Sequence, residues 1–107
     1  MGFNDEPFEV EITDECILEM TEIYDYISNE LKEDKSAETL MTEVTDKILN
    51  LPELPELYMK IGTTDDLKRD YHRMVVKNYV VLYTIDLKKR TIYISHMVYK
   101  GKNYLRQ

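Results

Sequence analysis

The chain has 107 residues with one cysteine, three glycines and three prolines, enough for one domain to bury a core without metal or disulfide staples and unlike a disordered tail in composition. Its net charge of −7 hides two halves of opposite sign: residues 1–56 hold 17 acids against three lysines, or −14, and residues 57–107 hold eleven bases against four acids, or +7. Cys16 has no partner for an internal disulfide, no signal-peptide pattern opens the chain, and the longest apolar run, Tyr79 to Tyr83, falls far short of the roughly 20 residues of a membrane span, so a reducing cytoplasm without membrane contact is expected.

Residues 1–6 are expected to form a flexible tip on a single domain spanning 1–107. Phe8-Glu-Val-Glu-Ile-Thr13 alternates apolar and acidic residues, the pattern of a strand with one buried and one wet face. Asp14 suits a helix cap, and Ile17, Met20, Tyr24, Ile27 and Leu31 recur at intervals of three and four, with Glu15, Glu19, Glu22, Asp25 and Glu30 mostly elsewhere around the helix. Ser36 suits the cap of a second helix, whose Ala37, Leu40, Met41, Val44, Ile48 and Leu51 repeat that spacing until Leu51-Pro52 stops it. The short connection through Lys32 to Lys35 makes the pair an antiparallel hairpin.

Pro52 to Asp70, with two prolines, a glycine and Thr63-Thr-Asp-Asp66, reads as a loop with at most a short turn. Tyr71 to Val76, Tyr79 to Ile85 and Thr91 to Tyr99 are rich in β-branched and aromatic residues, and Lys77-Asn78 and Asp86 to Arg90 supply the turns of a meander. The order β-α-α-β-β-β predicts an α+β fold: a small, mainly antiparallel sheet packed by one face on the helix hairpin, with the other face left for function.

Several pieces, taken in order, resemble the RelE/ParE superfamily of toxins from bacterial type II toxin–antitoxin modules. They are Ile23-Tyr-Asp-Tyr-Ile27, Leu51-Pro-Glu-Leu-Pro55, Tyr71-His-Arg73, Val76-Lys-Asn-Tyr79, Tyr83-Thr-Ile-Asp86, and a last strand from Ile92 to Tyr99 before Lys102-Asn-Tyr104. The resemblance covers nearly the whole chain. It implies a small toxin silenced in a hetero-oligomer by an antitoxin encoded beside it. Two mechanisms live on this fold: RelE-like members cut mRNA in the ribosome, and ParE-like members poison DNA gyrase.

If the chain is a ribonuclease, Arg73, Lys100, Lys102 and Tyr104 are the candidates for catalysis; Arg73, Lys77, Lys100, Lys102 and Arg106 are the candidates for contacting nucleic acid or another target. RelE-like nucleases are expected to carry an arginine directly after the tyrosine that opens the second meander strand, and here Val80 follows Tyr79. That departure and the acidic balance tilt the reading toward the gyrase poison. Ribosome-dependent mRNA cleavage is the alternative, and a non-toxic interaction module is a third. His96, read as sharing a face with Ile92, Ile94 and Val98, and His72, with Met74 and Val76, fit satisfied half-buried side chains. Neither has a ligand partner at metal spacing, so no metal and no cofactor are expected. Tyr24, Tyr79 and Tyr83 fit core packing. The acidic helices would repel nucleic acid everywhere but the sheet side.

Overall fold

The computed structural model describes residues 7–53, 59–63 and 70–101, with the backbone alone for 59–63 and 70. The elements run β1 (Glu9–Ile12), α1 (Asp14–Asp25), a π-helical turn (Tyr26–Glu30), α2 (Asp34–Asn50), β2 (Met59–Thr63), β3 (Asp70–Val76), β4 (Tyr79–Asp86) and β5 (Thr91–Tyr99). The fold is α+β. Its five strands stand in the order β1-β5-β4-β3-β2, antiparallel throughout except that β1 runs parallel to β5. Among the described residues no helix is long and apolar enough to cross a membrane.

β1 enters the sheet between two main-chain anchors, Phe8 N–H to Pro52 O at 2.9 Å and Glu9 N–H to Arg90 O at 2.8 Å. The Arg90 guanidinium lies 4.4 Å over the Phe8 ring, a cation–π contact that holds this corner. At its far end Thr13 turns the chain out of the sheet and caps α1, its hydroxyl oxygen accepting Cys16 N–H at 3.1 Å. Thr13, rather than Asp14, is therefore the cap. Asp14 and Glu15 occupy the first turn instead, where the helix dipole favours acids.

The inward stripe of α1 is Cys16, Met20, Ile23, Tyr24 and Ile27. The expectation that Ile17 and Leu31 belong to it is corrected: they are 50% and 48% exposed. Ile17 lies one residue, or roughly 100° of helix, past Cys16. Leu31 is displaced by the π turn, whose signature is Leu31 N–H bonding Tyr26 O five residues back at 3.1 Å. One extra residue per turn carries Leu31 off the line below Ile27. Lys32 then adopts a left-handed φ of 56° and reverses the chain into α2.

α2 starts at Asp34, earlier than the expected Ser36 cap, and Ser36 instead donates to Glu33 Oε1 at 3.0 Å. Its buried Ala37, Leu40, Val44 and Ile48 follow the expected stripe and continue into Leu51. Each large aliphatic side chain buried this way contributes about 1.5–3 kcal/mol. Against them the sheet sets Met74, Val76, Val81, Tyr83, Ile92, Ile94 and Met97, all within one apolar cluster.

Two further expectations are overturned. Pro52 to Asp70 is not wholly loop: Met59–Thr63 is the edge strand β2, paired antiparallel with β3, and Asp70 begins β3. A glycine in a five-residue segment concealed it, and long-range pairing overrides such local signals. His96 does not share a face with Ile92 and Ile94. Leu82 pairs with His96 but Tyr83 pairs with Ile94, so Ser95 is an extra residue that reverses the alternation. Ile92 and Ile94 face the helices, while His96 and Val98 lie on the opposite face, where Tyr71, Val80 and Leu82 form a second buried cluster. That face is thus not bare.

Candidate functional site

The candidate residues fall on two regions, the sheet face turned away from the helices and the end of the sheet at the β3–β4 turn. Arg73 is mid-strand in β3, half-buried, opposite Met59 on one side and Leu82 on the other. Its Nε is buried without a hydrogen-bond partner among the described residues. Such a group carries a desolvation cost that an incoming acceptor would relieve. Leu82 in turn pairs with His96, so Arg73, Leu82 and His96 form one row across three strands, with Tyr71 beside it, its ring centroid 6.5 Å from that of His96.

Lys77 and Lys100 lie elsewhere. Lys77 holds a left-handed φ of 54° in the two-residue β3–β4 turn, and its Nζ is 3.5 Å from Glu43 Oε1 of α2. Lys100 is exposed, and its N–H donates to Asn78 O at 2.7 Å, which brings it to the same turn. Along β3, four residues of strand put Lys77 roughly 13 Å from Arg73. The fold therefore gathers Lys77 and Lys100 at one end of the sheet and leaves Arg73 at its middle. Lys102, Tyr104 and Arg106 lie outside the described residues.

The histidines are both engaged. His72 is buried on the helix side with its ring stacked on Tyr83, centroids 5.0 Å apart and planes 13° off parallel. His96 Nδ1 is 3.2 and 3.3 Å from the two carboxylate oxygens of Glu19, and Glu19 Oε1 also accepts Met97 N–H at 3.0 Å. Glu19 escaped the sequence reading, which took it for a solvated acid. The signal was present: Glu19 lies three residues after Cys16 and four before Ile23, within the arc of the inward stripe.

Beside Glu19 runs an open groove of about 730 Å³ between α1, the π turn and the end of β5. Ile23, Tyr26, Leu31, Tyr79 and Tyr99 line it, with Glu19 and Glu22 as its acids. The π turn supplies two of these walls, since it is what exposes Tyr26 and Leu31. Tyr79 and Tyr99 meet edge to face at 5.9 Å. Burial, and then the neighbouring Tyr26 and Tyr99 hydroxyls, push the Tyr79 phenol above its ordinary pKa, so it stays a neutral donor. Cys16 is buried under α1, and its thiol is pushed up to about 12, chiefly by burial and then by the Glu19 charge, which leaves it no nucleophilic role at neutral pH. Among the described residues no group of three metal-binding side chains occurs.

The family described as ParE toxin of type II toxin-antitoxin system, parDE, matches residues 10–104. No match is found among curated protein sequences. Among solved structures, a chain of the chromosomal ParDE system of P. aeruginosa superposes with a TM-score of 0.68 at 9% identity, covering 86% of this chain and 95% of that one. A chain of the RelBE2 toxin–antitoxin complex of Mycobacterium tuberculosis gives 0.61 at 16% identity, with 91% and 95% covered. A chain of the archaeal RelE–RelB complex of Pyrococcus horikoshii OT3 gives 0.53 at 19% identity, with 90% and 98% covered. At such identities these likenesses speak for the fold.

Proposed function

The chain belongs to the ParE toxin family of type II toxin–antitoxin modules, and from that premise we propose that it arrests bacterial growth by binding DNA gyrase in the cytoplasm and stalling it, until a cognate antitoxin covers it. The observation that carries gyrase over RNA cleavage is the separation of Arg73 from Lys77 and Lys100, the candidate cations among the described residues. Cutting RNA requires a base, an acid for the leaving group and cations around one phosphate. Lys77 is instead engaged with Glu43 at the end of the sheet, far along β3 from Arg73. A gyrase poison needs only a complementary protein surface, and a net charge of −7 disfavours sequence-independent binding to nucleic acid.

One arrangement favours the second reading, ribosome-dependent mRNA cleavage. Tyr71, Arg73 and His96 lie on the same sheet face, and Glu19 orients the His96 ring. There His96 could exchange a proton with the attacking ribose hydroxyl while Arg73 meets the phosphate.

The deciding experiment induces the protein in a susceptible bacterium without its antitoxin and follows growth, mRNA 5′ ends and gyrase-linked DNA breaks. Arrest with DNA breaks is the expected result. Arrest with new cuts inside translated messages, lost in Arg73→Ala and His96→Gln, establishes the ribonuclease instead. Unimpeded growth of cells full of folded protein leaves an interaction module without toxicity.

A further inference from the structure

The turn between β4 and β5 lies at the opposite end of the sheet from Lys77 and Lys100, and it presents Leu87, Lys88 and Lys89 to solvent. The backbone beneath them is braced. Asp86 Oδ1 accepts Lys89 N–H at 3.1 Å, and the Thr91 hydroxyl donates to Lys89 O at 3.0 Å. Arg90, at a left-handed φ of 48°, is pinned over the Phe8 ring, and its carbonyl accepts Glu9 N–H. Side chains on a braced turn lose less freedom when a partner covers them than side chains on a loose one.

Single exposed leucines are ordinary, and Leu49 on α2, 68% exposed, is one of them. Leu87 is 67% exposed, but its surroundings differ. An open recess of about 750 Å³ runs from the turn onto the sheet, with Thr84, Leu87, Lys88, Lys89 and Tyr93 among its walls. Thr84 pairs with Tyr93, and both alternate with residues packed on the helices, so the recess opens on the face turned away from the acidic helices. Its far side is acidic. Phe8 and Val10 pack on the helix side, which leaves Glu9 and Glu11 on the recess side, and Glu11 is the neighbour of Tyr93 in the sheet. The patch is thus basic at the turn, apolar and aromatic at the centre, and acidic along β1.

That order of charges selects the class of partner. A nucleic acid laid on Lys88 and Lys89 runs into Glu11 and Glu9 beyond Tyr93, and two lysines neutralise too few phosphates for tight binding at physiological salt. A second copy of this chain brings its own net charge of −7 against the first. A protein surface can answer each part separately, with an apolar hollow at the centre and charges at its rim, the usual anatomy of a protein interface.

Resting on the gyrase reading above, we propose that the β4–β5 turn is the element with which this chain grips gyrase. Leu87 enters an apolar hollow of the enzyme's protein surface, Lys88 and Lys89 meet carboxylates on the rim of that hollow, and the Tyr93 ring packs beneath it.

The test measures binding of the full chain to purified gyrase held on a DNA fragment, by biolayer interferometry, with the DNA fragment alone as a second probe. Leu87→Ala should weaken binding to gyrase by about tenfold or more. Lys88→Glu with Lys89→Glu should do the same and flatten the salt dependence. Leu49→Ala, which trims an equally exposed leucine on α2, should leave binding unchanged. All these variants should keep native melting and native affinity for the protein encoded beside the chain. Acetylation footprinting of the native chain is the second measurement: gyrase should shield Lys88 and Lys89 severalfold and leave Lys32 and Lys35 labelled as before. Should the variants melt early, this footprint decides alone, and unshielded Lys88 and Lys89 overturn the proposal. Native-strength gyrase binding by Leu87→Ala and by the charge-reversed pair overturns it and leaves the gyrase reading intact. Binding of the native chain to the DNA fragment alone, lost in the charge-reversed pair, overturns it by making the turn a nucleic-acid contact. A native chain that sediments as a dimer with Lys88 and Lys89 already shielded overturns it by placing a second copy there. Failure of the native chain to bind gyrase at all removes the gyrase reading and the proposal with it.

Discussion

The carboxylate of Glu19, on α1, accepts the main-chain N–H of Met97, on β5, at 3.0 Å across 78 positions of sequence. A helix side chain here satisfies a strand amide, and the same carboxylate touches His96 Nδ1 at 3.2 Å. Replacing it with alanine leaves the amide to water at a half-open edge, so Glu19→Ala should cost about 1 kcal/mol. For a domain of this size that is a fall of about 4–8 °C in Tm. Glu19→Gln keeps an acceptor oxygen and should lose less; equal melting of all three proteins would show that the bond adds nothing.

Alkaline pH should destabilise the fold through Cys16. Its thiol rises from 9.0 to about 12 in the folded protein, by burial first and the Glu19 charge second. Between those values the unfolded chain releases the thiol proton and the folded chain keeps it. Stability is therefore fully present below about pH 9 and declines as pH rises toward 12. Urea midpoints measured from pH 8 to 11 should fall more steeply for the native chain than for Cys16→Ala. At neutral pH the native thiol should resist iodoacetamide until the protein unfolds.

Leu40 and Leu49 lie nine residues apart on α2, 2% and 68% exposed respectively. Leu40→Ala should cost about 2–5 kcal/mol through lost burial and the cavity left beneath the helix. Leu49→Ala should stay within about 0.5 kcal/mol. Chemical denaturation of both variants reads the difference directly, and similar losses would mean that α2 presents another face to the sheet.

Lys32 holds φ at 56° where the π turn gives way to α2. That backbone costs a side-chain-bearing residue about 1–2 kcal/mol, and glycine avoids it while adding freedom to the unfolded chain. The net expectation for Lys32→Gly is a gain of about 0.5–1 kcal/mol, seen as a raised Tm. A lowered Tm would indicate that the Lys32 side chain supports the turn.

Antitoxin binding should raise the melting temperature of the chain in proportion to the logarithm of free antitoxin. At a hundredfold excess over Kd the added stability is about 2.7 kcal/mol. Calorimetric scans across an antitoxin titration check it; an unchanged Tm at saturation would mean that the partner grips the unfolded chain equally well.

Much of the fold was legible because its signals are local. The spacing of Ala37, Leu40, Val44 and Ile48 marks α2, the density of β-branched residues around Lys77-Asn78 marks the β3–β4 hairpin, and the order of elements carries the α+β class and the family resemblance. Tertiary structure alone decided the rest. Whether Met59–Thr63 is a strand depends on β3 lying alongside it, and the side on which His96 emerges depends on one extra residue at Ser95 in a ladder with β4. The candidate site divides in the same way. Arg73, Lys77 and Lys100 could be named by residue type, but their distance from one another, the groove beside β5 and the use of Glu19 are properties of contacts between segments far apart in sequence. Periodicity reports which face of an element is apolar; it carries no information about what stands opposite, because pairing partners are chosen by long-range backbone hydrogen bonds and packing.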